Sequence, residues 1–339
     1  MDKENFIIVG ENIHCTRIVK SGGIRTKKIS QDREGVKFTK NGEEKVLPLP
    51  ANWETISPKY RDGNICHITL AIYQAMNGKT EEERKAGEEY LYWVAKTQIE
   101  HGADFLDVNV DEYSIRREEQ IEAMKWTTNF LSKNFDVPLS IDSSVVETLV
   151  AGLENSPKGK IPMINSISLE RENAADLAVQ YNAHAIVSAA GRSGLPQTAD
   201  EKITNLKEIV SILDKKGIQR EKMHLDPLVL PISVDSSNGK NFLEAVSKAK
   251  ELFEGVNITG GLSNVSFGMP NRKLLNLVFT WLFIKAGGNG GIIDPVRLSI
   301  EKLKEIDTES ESFKLARAVL DGTDMFGAEY IAAFREGRL

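Results

Sequence analysis

Eight acidic and amide side chains in this chain have the chemistry to line a binding site: Glu11, Asn12, Asp107, Asn109, Asp142, Asn165, Asp226 and Asn264. Each follows or closes a short β-branched run, where a polar side chain costs free energy unless it is paired or used. A single Asp of this kind can serve as a helix N-cap, and Asp142 in IDSSVVETL has the sequence for it. Recurrence at six run ends fits a shared pocket better. The group is rich in carboxylates and amides and has no Arg or Lys cluster, so it suits a neutral heterocycle with many N–H and C=O edges and not a phosphate.

The elements that must position these residues are short strands alternating with amphipathic helices. The runs fall at 6–10, 104–110, 138–142, 161–166, 184–189, 222–228, 256–262 and 290–294, with room between the later ones for a crossover helix. Eight strands with a helix after each favour an α/β fold of the closed (β/α)8 TIM-barrel type over an open doubly wound sheet, and the whole of 1–339 reads as one domain. In such a barrel the active site lies at the C-terminal ends of the strands.

Residues 17–84 stand outside this rhythm as an insertion between the first strand and its helix, expected at 81–101. Within the insertion, alternating residues around Asn41-Gly42 predict a hairpin. Emerging at a βα junction, it reads equally as a lid or docking element and as a packed side flap.

Other chemistries find less support. There is no GxSxG elbow, and Ser143, Ser144, Ser166 and Ser168 have no His at a suggestive spacing. His14-Cys15 and Cys66-His67 contain zinc-ligand types, but neighbours on a strand point to opposite faces, so no metal site is assigned. His14 is placed near the pocket, whereas His101, His184 and His224 read as structural or exposed. The glycines at 287–291 precede a strand, unlike a dinucleotide fingerprint, and read as a helix-ending turn.

With 339 residues, 41% of them hydrophobic and 27% charged, the composition is that of a globular chain with a real core. A formal net charge of −6 without a basic stripe argues against nucleic-acid binding. The first residues form neither a signal peptide nor a spanning helix, so no membrane role and a cytoplasmic location are expected; two cysteines suit a reducing compartment.

The segment GLSNVSFGMPNR at 261–272 combines close backbone approach at Gly260-Gly261 with the donor-acceptor amide of Asn264. Together with FIIVGENI, GADFLDVNV, PLSIDSS, PMINSIS and HLDPLVLPIS, in that order over residues 6–272, it resembles the pterin-binding family. The family includes methyltetrahydrofolate:corrinoid protein methyltransferases, the folate module of cobalamin-dependent methionine synthase, and dihydropteroate synthase. The resemblance implies that Asp142, Asn165 and Asp226 hold the pteridine ring, with Asp107, Asn109, Glu11, Asn12 and Ser266 as further pterin-binding positions. It implies a catalytic role beside N5 for Asn264, where synthases of the dihydropteroate type carry a Lys. The sequence departs from the family pattern at Phe267, at Asn12, where an Arg is common, and in the 17–84 insertion.

The expected activity is transfer of a methyl group between N5 of methyltetrahydrofolate and the cobalt of a corrinoid (cobalamin). No DxHxxG-like segment or cobalamin domain is visible, so the corrinoid is expected on a partner protein. The family also implies a homodimer. Rival readings are a dihydropteroate synthase and a non-catalytic folate-binding component of a demethylase complex.

Overall fold

The computed structural model describes residues 5–31, 33–56 and 62–339. Residues 1–4, which entered the reading of the N-terminus, and residues 32 and 57–61 of the insertion lie outside the described residues.

Strand β1 (Ile7–His14) opens the chain. The insertion follows as β2 (Ile18–Lys20), β3 (Thr26–Ser30), β4 (Arg33–Lys40), β5 (Glu43–Pro48), helix α1 (Trp53–Ile56), β6 (Asn64–Cys66) and helix α2 (His67–Asn77). Helix α3 (Glu81–Glu100) is the one expected at 81–101. Then come β7 (Phe105–Asn109), α4 (Arg117–Asn134), β8 (Leu139–Asp142), α5 (Val146–Glu154), β9 (Met163–Ile167), α6 (Ala174–Gln180), β10 (His184–Ser188) and α7 (Ala199–Lys215). The chain continues through β11 (Met223–Asp226), α8 (Asn238–Leu252), β12 (Asn257–Ile258), α9 (Arg272–Lys285), β13 (Gly290–Ile293), α10 (Glu311–Leu320) and α11 (Ala328–Arg335).

The eight expected strands form one sheet in the order β12-β11-β10-β9-β8-β7-β1-β13, and the fold is the (β/α)8 barrel. Between its first and last members in that order, Asn289 N donates to Ile258 O at 3.0 Å and Ile292 N to Gly260 O at 3.0 Å. Three boundaries differ from expectation for local reasons. β1 runs on to His14, so Glu11 and Asn12 lie inside the strand. β11 stops at Asp226 because Pro227 has no N–H to give. β12 shrinks to two residues, since Gly260 and Gly261 lead the chain out of regular pairing.

By compactness the chain resolves into two units, one of Met1–Val9, His101–Asp104 and Met163–Leu339, the other of Gly10–Glu100 and Phe105–Pro162. In the second, the Asn41-Gly42 hairpin forms as expected: β4 and β5 pair antiparallel with Lys40 opposite Glu43, and the two turn residues take φ of 52° and 81°. The sequence reading missed β3, which adds a third strand, and the β2–β6 pair. The hairpin is fastened to α3: Phe38 packs against Tyr90 and Trp93 with ring centroids 5.2 Å apart in each case, and Lys40 pairs with Glu89 at 2.6 Å. Among the described residues no helix is long and apolar enough to cross a membrane.

Candidate functional site

In the unit that contains β7 and β8, the two strands pair with Asp107 opposite Ser140 and Asn109 opposite Asp142. Partners in parallel strands share a face, and so do alternate residues, so these four side chains point the same way. The other face carries Ile141, which packs so tightly under α5 that a Cβ on Gly152 would come within 2.4 Å of it. The four polar side chains therefore face away from the helical layer, into the sheet's inner side.

Asp142 is not a helix cap. The residue before α5 is Val145, and its N–H goes to Ser143 Oγ at 3.0 Å. Ser143 and Ser144 are held in turn by Asp111, which accepts from both hydroxyls at 2.5 and 2.7 Å and from Ser144 N at 2.8 Å. Asp142 is left about a quarter exposed (24%), 3.7 Å from His14 Nε2. Because Thr16 N donates to His14 Nδ1 at 3.2 Å, the neutral ring carries its proton on Nε2, facing Asp142. The Asn109 side chain accepts from Asp111 N at 3.1 Å. Glu11 forms an ion pair with Arg17 at 2.6 Å, and Asn12 N donates to Gln98 Oε1 at 2.9 Å.

The four residues considered as soft or imidazole ligands have other company. Cys15 is buried and its thiol is pushed up to about 12, mainly by that burial; Cys66 is also buried, and neither is in a disulfide. His67 Nδ1 lies 3.0 Å from Tyr90 Oη.

In the unit that contains β9 to β12, Asn165 sits opposite Ile186, and Asp226 opposite Ser188, again on one face. Asp226 is only 8% exposed. Its Oδ1 accepts from Leu228 N at 2.8 Å across a turn in which Leu228 takes a φ of 63°. Burial raises this carboxyl to about 6, against the opposing pull of the Leu228 N–H and of Lys202. Lys202, on the first turn of α7, donates from Nζ to Pro227 O at 2.9 Å and Leu228 O at 2.7 Å. Its own ammonium is pushed down to about 8 by burial. Earlier on the same strands, His184 Nδ1 and His224 Nε2 lie 3.0 Å apart, and burial, then His184, hold His224 down to about 3.

After β12, a short 3-10 turn (Leu262–Ser266) presents Asn264 to solvent. Gly261 makes room for it, since a Cβ there would come 2.9 Å from Asn264 Nδ2. Arg272, at the start of α9, clamps the loop by donating to Ser263 O at 2.8 Å and Ser266 Oγ at 3.1 Å, and it lies 5.6 Å from the ring centre of Phe267. Ser266, expected as a pterin-binding position, is turned inward. It is fully buried and its hydroxyl donates to Asn276 Oδ1 at 2.6 Å, so it braces the loop from inside and has no donor left for a ligand.

The sequence reading missed Asp111, Lys202 and the His184–His224 pair. Lys202 stands in a charged helix start, ADEK, indistinguishable from a solvated face. Asp111 follows Asn109 by the two-residue spacing of a turn, which was the available signal.

Residues 79–294 match the family model described as pterin binding enzyme. The chain is 29% identical over 281 residues to a methylcorrinoid:tetrahydrofolate methyltransferase from Eubacterium limosum, covering 80% of this chain and 97% of that protein. Among solved structures it resembles dihydropteroate synthase from Xanthomonas albilineans with 4-aminobenzoic acid (TM-score 0.53, 19% identity, 67% of this chain and 87% of that one). Dihydropteroate synthase from Stenotrophomonas maltophilia gives a TM-score of 0.52 at 19% identity, with 65% and 86% covered. At those identities the two synthases speak to the fold alone.

Proposed function

Because this chain belongs to the pterin-binding enzyme family, we propose that it is a methyltransferase acting between N5 of tetrahydrofolate and the cobalt of a corrinoid carried by a separate protein. The observation that carries the reading is Asn264. It offers a solvent-facing neutral amide, held by a braced loop and given room by Gly261, where the resemblance puts the residue beside N5. The name of the Eubacterium limosum relative, a methylcorrinoid:tetrahydrofolate methyltransferase, supports the same pair of substrates with the corrinoid as methyl donor.

In that direction the N5 lone pair forms the new N–CH3 bond, the Co–CH3 bond breaks with its electron pair left on cobalt, and the N5 proton leaves to solvent. In the reverse direction negative charge develops on N5 as the methyl departs. A donor that tightens on that charge lowers the barrier selectively, and the Asn264 amide N–H₂ is such a donor. Asp142, Asn165 and Asp226 take the ring-holding role in this proposal. Asp226 fits it chemically: one oxygen is committed to Leu228 N, and the other has no partner among the described residues, leaving an acceptor for a pterin N–H edge. Asp107, Asn109, Glu11 and Asn12 are taken as further pterin-binding positions, and Ser266 serves through the loop. Bringing the methyl group and cobalt into line is the partner protein's contribution.

The test is a titration of the purified protein with methyltetrahydrofolate, followed by cob(I)alamin, watching the cobalt(I) absorption band. Binding with loss of the band is the expected result. Binding with the band unchanged, also in the presence of the methyl-accepting corrinoid protein, leaves a folate-binding component; no binding overturns the proposal.

A further inference from the structure

Lysine is among the residue types least often fully buried, because its ammonium must find replacements for the water it loses. Lys202 is 1% exposed. It has nothing to do with capping α7, which Thr198 and Glu201 accomplish as a capping box. Its stem instead runs inward, and Nζ meets two consecutive carbonyls, Pro227 O and Leu228 O. Those residues are the two that follow Asp226. Leu228 adopts a left-handed conformation that non-glycine residues seldom take, and this turn brings Leu228 N onto Asp226 Oδ1.

We propose that Lys202 is the positioning residue of Asp226: it pins both carbonyls of the turn that holds one carboxylate oxygen, and it supplies the positive charge facing that carboxylate. The inference rests on the pterin-holding reading of Asp226 and extends it to a residue that touches no ligand. The surroundings support Lys202 as the source of charge. On β11, His224 is neutral at physiological pH and is paired with His184 of β10; Ser188, opposite Asp226, is uncharged; and residues 257–261 of the β12 segment carry no charge. Glu201, next to Lys202, faces solvent and acts on the lysine. Burial lifts Asp226 toward neutrality, and Lys202 opposes it. With the lysine removed, the carboxyl gains a proton near pH 7 and presents a hydroxyl where an acceptor is required.

The experiment compares the wild type with Lys202→Met, which keeps the stem, and Lys202→Arg, which keeps the charge. The Asp226 carboxyl is titrated in the ligand-free protein by ¹³C NMR, its resonance assigned with Asp226→Asn. In Lys202→Met the midpoint moves upward by about one pH unit or more, and Lys202→Arg restores most of it. Methyltetrahydrofolate affinity at pH 7 falls about tenfold in Lys202→Met and recovers partly at higher pH, with kcat at saturation little changed. An unchanged midpoint in folded Lys202→Met overturns the proposal.

Should Lys202→Met not fold, the wild type still decides: the ¹⁵Nζ shift of Lys202 inflects at the Asp226 midpoint and loses that inflection in Asp226→Asn, whereas a featureless curve overturns it. The carboxyl titration needs no folate. Absence of methyltetrahydrofolate binding by the wild type therefore defeats the functional reading separately from the Lys202–Asp226 coupling.

Discussion

Asp142 ends β8 about a quarter exposed and 3.7 Å from His14, whereas Asp226 ends β11 buried, with one oxygen on a backbone N–H and a buried lysine behind its turn. Both are strand-end aspartates preceded by an apolar residue, in segments of similar look, IDS and LDP. Their environments nonetheless assign them different physics. Asp142 keeps part of its hydration and an imidazole neighbour. Asp226 has exchanged water for a preorganised turn, so its charge depends on Lys202 and on pH. A carboxylate's position in a motif says that it can bind; its burial says when it is ionised.

The largest expected effect separates both aspartates from Asn264, the amide proposed to act on N5. Asn264→Ala lowers the methyl-transfer rate about 10²–10³-fold, while the methyltetrahydrofolate Kd stays within a few-fold, read by single-turnover kinetics and equilibrium titration. An unchanged rate removes Asn264 from the chemistry.

Next comes the aspartate pair itself. Asp226→Asn weakens methyltetrahydrofolate binding roughly 10–100-fold, the loss of a charge-assisted hydrogen bond in a desolvated position, and Asp142→Asn weakens it by about tenfold or less. Equal losses measured by titration calorimetry would break the contrast. The same binding weakens in the wild type as pH falls through about 6, where Asp226 takes up a proton, and Asp226→Asn flattens that dependence.

A smaller effect tests whether the loop after β12 depends on space as much as on residue type. In Gly261→Ala the added methyl displaces the Asn264 amide, so the rate drops by about tenfold with the melting temperature nearly unchanged. By contrast, a Cβ at Gly87 would meet the Ala71 carbonyl at 2.4 Å, so Gly87→Ala lowers stability by about 1–3 kcal/mol.

The smallest effect is on stability against pH. Asp226, raised in the folded state above its usual 3.8, binds a proton that the unfolded chain has already lost, so its contribution falls as pH rises from about 4 to about 6. His224, held down to about 3, acts in the other direction: stability is lost as pH falls from about 6.5 toward 3. Thermal melts from pH 3.5 to 7 should therefore show His224→Phe less sensitive to acid than the wild type, and Asp226→Asn without the loss between pH 4 and 6.

Much of the fold was legible because it follows from local periodicity. β-branched runs marked all eight sheet strands, and Asn41-Gly42 specified its hairpin through the positive φ that the turn demands. The missed β3 is a short, mostly polar strand, exposed along most of its length, that earns its place by pairing with β4, which no local pattern announces. Among the candidate site residues, the order and types of Asp107, Asn109, Asp142, Asn165, Asp226 and Asn264 could be read from run ends and motif spacing. The inward direction of Ser266 was not legible, because its motif position is identical whether the hydroxyl points out to a ligand or in to Asn276.

The linear chain by itself determined which residue types stand at the strand ends, the class of ligand they suit and the family they belong to, since these depend on near neighbours and on order. Only the tertiary structure decided that Lys202 reaches the turn after Asp226 from a helix more than twenty residues earlier, that Asp111 locks Ser143 and Ser144, and that Gly261 clears room for Asn264. Ionisation and orientation are set by what surrounds a group in space, through desolvation, charge and excluded volume. None of these is carried by sequence separation.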